Sequence, residues 1–221
     1  MPFNIFDIIG PVMIGPSSSH TAGAVRIGRV GWKILGEKAV KAEIGLFGSF
    51  AMTGKGHGTD RALVAGILGM TTDDERIPRS FEVAKEAGLD FTFSEVKLSQ
   101  AHPNTAILQL TGVSGAQCIV QGASVGGGNI VITKLNGMES AFTGEQDTLI
   151  IAHRDMPGMI AMITAELAEH GINIGSFRLS RPQKGLQAVM TIELDTGIDE
   201  ATVSKLRGLH DVGNVVYMAA H

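Results

Sequence analysis

The chain is 221 residues long, with an apolar share of 44% and a net charge of −4. Such a chain can bury a sizeable core as one large or two modest domains, which argues against wholesale disorder. Its charges are scattered: no basic run marks a nucleic-acid surface, and no stretch reaches the roughly 18 apolar residues that predict a membrane span.

The opening Met1-Pro2-Phe3-Asn4-Ile5-Phe6-Asp7 lacks the basic start and long apolar stretch of a signal peptide. Apolar spacing predicts a helix over Ala24 to Leu35, and Lys41 to Phe47 reads as a strand. Gly48 to Asp60 reads as a glycine-rich loop, Asp60 to Gly69 as an apolar helix, and Phe81 to Ala87 as a short amphipathic one. Strand character follows over Phe91–Leu98, Thr105–Thr111, Gln117–Val125 and Asn129–Leu135, the last three as an antiparallel meander between turn glycines. Gly137 to Gln146 reads as a linker.

Beyond it, Thr148 to His153 is a short apolar strand. Asp155 suits a helix cap and Pro157 its first turn, with Ile160, Ile163 and Leu167 at helical spacing and Gly171 closing the helix. Asn173 to Arg181 is the next strand, Gln183-Lys184-Gly185 a hairpin turn, and Ala188 to Leu194 an alternating strand. Asp199 starts a second helix, and Val212 to Met218 is a last strand. The expectation is an α+β chain: an N-terminal α/β substrate-binding-type domain over residues 1–140, then a ferredoxin-like βαββαβ domain over 148–221.

Three clusters carry chemistry. Gly15-Pro16-Ser17-Ser18-Ser19-His20-Thr21-Ala22-Gly23 enters a helix, and its free backbone N–H groups and hydroxyls suit a carboxylate or phosphate. Gly48 to Asp60 holds Thr53, Lys55 and His57 among glycines; Lys55 suits a carboxylate, and His57 suits proton transfer near neutral pH. Gly54-Lys55-Gly56 lacks the spacing of a phosphate-binding P-loop. His102-Pro103-Asn104-Thr105 opens a strand, and its weight comes from the convergence it allows between His20, His57 and His102. His170 reads as a helix C-terminal residue favoured by the dipole. Gly126-Gly127-Gly128 reads equally as a hairpin turn or a close backbone approach. Cys118, the single cysteine, reads as a small core residue. It excludes an internal disulfide and a cluster held by several thiolates of this chain alone, and it fits a reducing cytoplasm.

The runs IGPSSSHTAGAVRIG, GSFAMTGKGHGTDRA and HPNT resemble the beta chain of bacterial iron–sulfur-dependent L-serine dehydratases. The segment RDMPGMIAMITAELAEHGINI resembles an ACT domain, a regulatory module shared by many amino-acid-responsive enzymes. Together the resemblances span essentially the whole chain. They imply a lyase subunit, inactive alone, that deaminates L-serine to pyruvate and ammonia. The [4Fe–4S] cluster would be ligated by an alpha subunit and act there as Lewis acid on the serine hydroxyl. They further imply catalytic roles for His20, His57 and His102, the base among them left open. Substrate contacts would come from Ser17, Ser18, Ser19, Thr21, Thr53, Lys55 and Asn104. An amino-acid ligand of the ACT domain would lie at Asp155, Gly158, Asn173 and Ile174, with a homodimer formed through that domain. No metal ligand, nucleic acid or membrane is expected for this chain. The competing reading is a non-catalytic amino-acid-sensing module, since the first domain also resembles one attached to some phosphoglycerate dehydrogenases. An oxidoreductase is excluded by the lack of a complete dinucleotide fingerprint after a strand.

Overall fold

A computed structural model describes residues 12–220, with the backbone alone described at Lys55. The reading of Met1 to Asp7 lies outside these residues. The chain divides into two compact units between Gly137 and Met138.

In the first unit a π turn over Ser18–Ala22 runs directly into helix α1 (Gly23–Leu35), followed by strand β1 (Ala39–Phe47). Helices α2 (Ser49–His57), α3 (Thr59–Ile67) and α4 (Ser80–Glu86) come next, then strands β2 (Asp90–Glu95), β3 (Thr105–Gly112), β4 (Gln117–Gly126) and β5 (Asn129–Leu135). The strands lie in the order β2-β1-β3-β4-β5, with β2 parallel to β1 and the rest antiparallel. Period-two alternation sends Ala106, Leu108 and Leu110 of β3 to one face, all fully buried. Cys118 is buried in β4, and burial pushes its thiol up to about 12, so it packs as a core residue. The Gly126–Gly128 segment turns the β4–β5 hairpin with an irregular register, and the Gly128 carbonyl accepts from Arg26 Nη1 at 2.9 Å.

Helices α1 and α3 cross backbone to backbone. A Cβ built on Gly66 would lie 2.1 Å from the Val25 carbonyl oxygen, and one on Gly28 would lie 2.5 Å from that of Leu63. Backbone atoms cannot yield to a side chain there, so both positions require glycine for proximity rather than for conformation.

Two elements differ from the sequence reading. Ser49 to His57, expected as a loop, is helix α2; its two internal glycines and weak apolar stripe hide it, and tertiary packing of the fully buried Phe50 overrides propensity. The expected linker contains strand β6 (Met138–Phe142), whose Ser140 and Phe142 are buried, with Ser140 Oγ 3.2 Å from Thr191 Oγ1.

The second unit continues with β7 (Asp147–Arg154), α5 (Met159–Glu169), β8 (Ile174–Ser180), β9 (Gln187–Leu194), α6 (Glu200–Gly208) and β10 (Val212–Met218). Its sheet runs β10-β7-β9-β8, fully antiparallel, in the ferredoxin-like βαββαβ order. Leu149, Ile151, Met190, Ile192 and Leu194 pack against Ile163 and Leu167 of α5 and Val203 and Leu206 of α6. Asp199 caps α6, accepting from Thr202 N at 2.8 Å and Thr202 Oγ1 at 2.6 Å. His170 sits at the end of α5, its Nδ1 2.8 Å from the Glu166 carbonyl oxygen. Asp155 is not a cap: Gly158, with φ of 92°, takes the N-cap position of α5 without any side-chain bond.

Replacing Gly66 by Ala is expected to destabilise the first unit by about 2 to 3 kcal/mol through overpacking. Gly56→Ala, where nothing lies within 4 Å of the added carbon, is expected to leave stability nearly unchanged. Urea unfolding followed by the fluorescence of Trp32, the single tryptophan, separates the two outcomes.

Candidate active site

The π turn and α2 meet at one point. Ser17 starts the turn, its Oγ accepting from His20 N at 3.2 Å. From α2, Ser49, Thr53 and His57 recur every fourth residue and so share a face. His20 Nε2 lies 3.1 Å from Thr53 Oγ1 and 3.2 Å from Ser49 Oγ. The rings of His20 and His57 stand 5.0 Å apart at 59°, and Phe50 meets His20 edge-on at 5.4 Å. The buried Thr21 donates from Oγ1 to the His57 carbonyl at 3.4 Å, tying the turn to the end of α2.

Electrostatics here favour a neutral imidazole. Partial burial holds His20 below the ordinary histidine value of 6.5, and a charge on His57 lowers it further. A neutral ring has one nitrogen able to take a proton near neutral pH.

The third motif is fastened to the second. Gly48, at φ 59° and ψ −123°, lies against Pro103: an added Cβ would be 2.7 Å from the Pro103 carbonyl oxygen. Phe50 N also reaches that oxygen at 3.4 Å. His102 itself is exposed, and its Nδ1 accepts from Asn104 N at 3.2 Å. The Asn104 carbonyl accepts from Ser124 N at 3.0 Å. Thus His20, His57, Ser49 and Thr53 form one cluster, while His102 and Asn104 are in mutual contact on the neighbouring loop. Ser18 and Ser19 are half-buried within the π turn. Lys55 belongs to α2, and its side chain lies outside the described atoms.

A cavity of about 240 Å³ opens beside this cluster, with Gly15, Thr21, His57 and Arg61 in its wall. Arg61 follows His57 by four residues and stacks on Phe81, its guanidinium carbon 5.2 Å from the ring centroid. Sequence reasoning missed both Ser49 and Arg61. The signal for Ser49 is its four-residue spacing to Thr53, which becomes visible only once α2 is known to be helical; Arg61 lies on α3, beyond the left-handed Gly58, and only the fold brings it to the cavity wall.

As donors for an iron–sulfur cluster these residues do not fit. The single thiol is buried in the β4 core and held protonated. Among the described residues no group of three or more His, Cys, Asp or Glu converges as a metal site. Nor is any described helix long and apolar enough to cross a membrane.

In the second unit, His153, Asp155, Gly158 and Leu179 line a cavity of about 410 Å³, and His153, Arg154, Gln187 and Asp211 a second of about 640 Å³. Asp155 Oδ2 accepts from Arg181 Nη1 at 2.6 Å and from Gly185 N at 2.9 Å. The Gly185 amide first, then the Arg181 guanidinium, hold its carboxyl below the usual range. Asn173 is engaged elsewhere, donating from Nδ2 to Asp195 Oδ2 at 2.5 Å, and Ile174 packs on the core; neither lines these two cavities. His153 is the residue missed here. It is buried, its Nδ1 lies 2.7 Å from the Arg154 carbonyl oxygen, and its Nε2 has no partner among the described residues.

Comparison with known proteins agrees with this division. A serine dehydratase beta chain family model matches residues 3–134, and an ACT domain model matches residues 148–211. The chain is 42% identical to a probable L-serine dehydratase beta chain of Bacillus subtilis, covering 98% of each chain. It is 38% identical to the L-serine dehydratase beta chain of Peptoniphilus asaccharolyticus, again over 98% of each. A D-3-phosphoglycerate dehydrogenase of Methanocaldococcus jannaschii is 33% identical over 38% of this chain and 16% of its own length. With both units matched and full-length relatives at this identity, the chain belongs to the serine dehydratase beta chain family and carries a C-terminal ACT domain.

Proposed function

We propose that this chain is the beta subunit of an L-serine dehydratase, deaminating L-serine to pyruvate and ammonia together with an iron–sulfur alpha subunit in the cytoplasm. The observation that carries the reading is the cluster of His20, Ser49, Thr53 and His57 beside a cavity walled by Arg61. The alpha subunit holds the [4Fe–4S] cluster, for which this chain has no thiolate set. This chain supplies the rest: a neutral imidazole to take a proton, and cations and hydroxyls to hold the substrate.

Of the three candidate histidines, His20 is the best suited to act as base, because it is held by Ser49 and Thr53 and burial disfavours its charged form. His57 stands beside it as second proton carrier, and His102, exposed, borders the site. Arg61 and Lys55 are the cations for the substrate carboxylate, with Ser17, Ser18, Ser19, Thr21 and Asn104 as hydrogen-bonding partners around it. Elimination of the serine hydroxyl needs a centre this chain lacks, so the chain is inactive alone.

Anaerobic co-expression with a cysteine-bearing alpha chain, assayed for pyruvate from L-serine, tests the reading. Turnover is expected from the pair and not from this chain after iron and sulfide reconstitution. A chain that turns over alone, or a pair without turnover, rejects it.

The acid limb of the pair's kcat/KM is expected below pH 6.5, because the free base must be neutral and its charged form is disfavoured. His57→Gln removes the like charge and is expected to move that limb upward, toward 6.5. A limb above 6.5 in the parent enzyme argues against His20 as base.

For the ACT unit we propose an amino-acid ligand, L-serine as first choice, and a homodimer formed through this domain. The Arg154 carbonyl can only accept, so His153 Nδ1 carries the proton and a neutral ring offers Nε2 as acceptor to a ligand ammonium. Asp155 contributes its carboxylate and Gly158 its backbone. Calorimetry on the full chain is expected to show heat with L-serine that Asp155→Ala removes and His20→Ala keeps. Equal heats from both variants place ligand binding elsewhere.

A further inference from the structure

His20 Nε2 has two oxygen neighbours, Thr53 Oγ1 at 3.1 Å and Ser49 Oγ at 3.2 Å. A neutral imidazole nitrogen holds either one proton or one lone pair, never both. Thr53 has a single hydroxyl proton, and the Ser49 carbonyl, one turn back along α2, takes it at 2.8 Å. A carbonyl oxygen only accepts, and this bond is the shortest of the three. Thr53 Oγ1 therefore presents a lone pair to His20. Were Nε2 also a lone pair, two acceptors would face each other across 3.1 Å at a half-buried site. The arrangement is satisfied when Nε2 carries the proton and shares it between the two oxygens as a three-centre bond.

We infer that Thr53 is a positioning residue that locks His20 as its Nε2–H tautomer, leaving Nδ1 as the one atom of the ring that can accept a proton. This rests on the reading of His20 as a proton-transfer group and deepens it by naming the atom. The lock comes from helix geometry: Ser49 and Thr53 are four residues apart on α2, and the back-bond to the Ser49 carbonyl fixes the Thr53 rotor. Phe50, fully buried and edge-on to the ring, restrains its rotation. Nδ1 has no hydrogen-bond partner among the described residues. The substrate proton must reach His20 from the Nδ1 side.

The test is long-range proton–nitrogen NMR on the full chain, labelled at histidine nitrogen and held above the ring's titration. A His20→Asn sample assigns the signal. Wild type is expected to show protonated Nε2 and bare Nδ1. Thr53→Val, which keeps the side-chain outline and removes the acceptor, is expected to give a tautomer mixture. Thr53→Ser is expected to restore the wild-type pattern. In the reconstituted pair, Thr53→Val is expected to lower kcat by roughly tenfold or more, consistent with the size of general-base effects, with Thr53→Ser recovering most of it. Bare Nε2 in the wild type overturns the inference, as does an unchanged tautomer in Thr53→Val. If Thr53→Val fails to fold, the wild-type and Thr53→Ser spectra still decide it. The spectrum does not depend on turnover, so a locked Nε2–H in a chain that yields no active pair supports the tautomer and counts against the dehydratase reading. An active pair with bare Nε2 does the reverse.

Discussion

The contact between α1 and α3 at Gly28 and Gly66 is the constraint from which the first unit's site follows. Helices with ordinary side chains at the contact stand about 8 to 10 Å apart. Here the carbonyls of Val25 and Leu63 leave no room even for a methyl group. The π turn that carries His20 leads into α1, and α2, which carries Thr53 and His57, leads into α3 through Gly58. Bringing the two helices together therefore brings the two motifs together, and the Thr21 hydroxyl reaching the His57 carbonyl is the seam. The third motif is fastened by the same device, a glycine lying flat on backbone, at Gly48 and Pro103.

That geometry also decides the electrostatics. Two imidazoles stand 5.0 Å apart, His20 half-buried and His57 exposed, and desolvation followed by the charge of His57 disfavours the charged form of His20. Position thus disfavours the imidazolium of His20, where a carboxylate partner would favour it. Arg61, stacked on Phe81 at the nearby cavity wall, keeps a permanent positive charge beside the pair.

Much of the fold was legible in the chain. The β3–β5 meander, the Asp199 cap and the order of elements in the second unit follow from alternation, helix-start chemistry and turn glycines, which are local signals. Helix α2 was not legible, because GKGH carries two poor helix formers and its stability is tertiary, resting on Phe50. β6 was hidden because Ser140, a polar residue, occupies an inward position and is satisfied only by Thr191, far along the chain. The parallel pairing of β2 with β1 needs a crossover through three helices, and no local pattern encodes it. The motif histidines could be named from their neighbours, but a partner such as Ser49 needed the helix first. Asp155 has the composition of a cap, yet its carboxylate finds stronger donors in Arg181 and Gly185, 26 and 30 residues along the chain.

The polar groups at both candidate sites divide their atoms in one way. His20 commits Nε2 to Ser49 and Thr53, with Nδ1 unclaimed; His153 commits Nδ1 to the Arg154 carbonyl, with Nε2 unclaimed. Asp155 accepts both of its bonds at Oδ2, and Oδ1 has no partner among the described residues. A side chain with two polar atoms can commit one to the fold and keep the other for a ligand. The spent atom fixes orientation, so the free atom needs no reorganisation when a ligand arrives. For Asp155 the same bonds carry a condition. Its folded pKa lies below the ordinary carboxylate value, so the tie to Arg181 and Gly185 is present above that value and is lost as pH falls through the lowered one. A ligand ammonium at Oδ1 would leave that tie in place, because it uses the other oxygen. Arg181 and Gly185 belong to the segment joining β8 to β9, so the carboxylate that would meet the ligand is also the one that holds this connection to the start of α5.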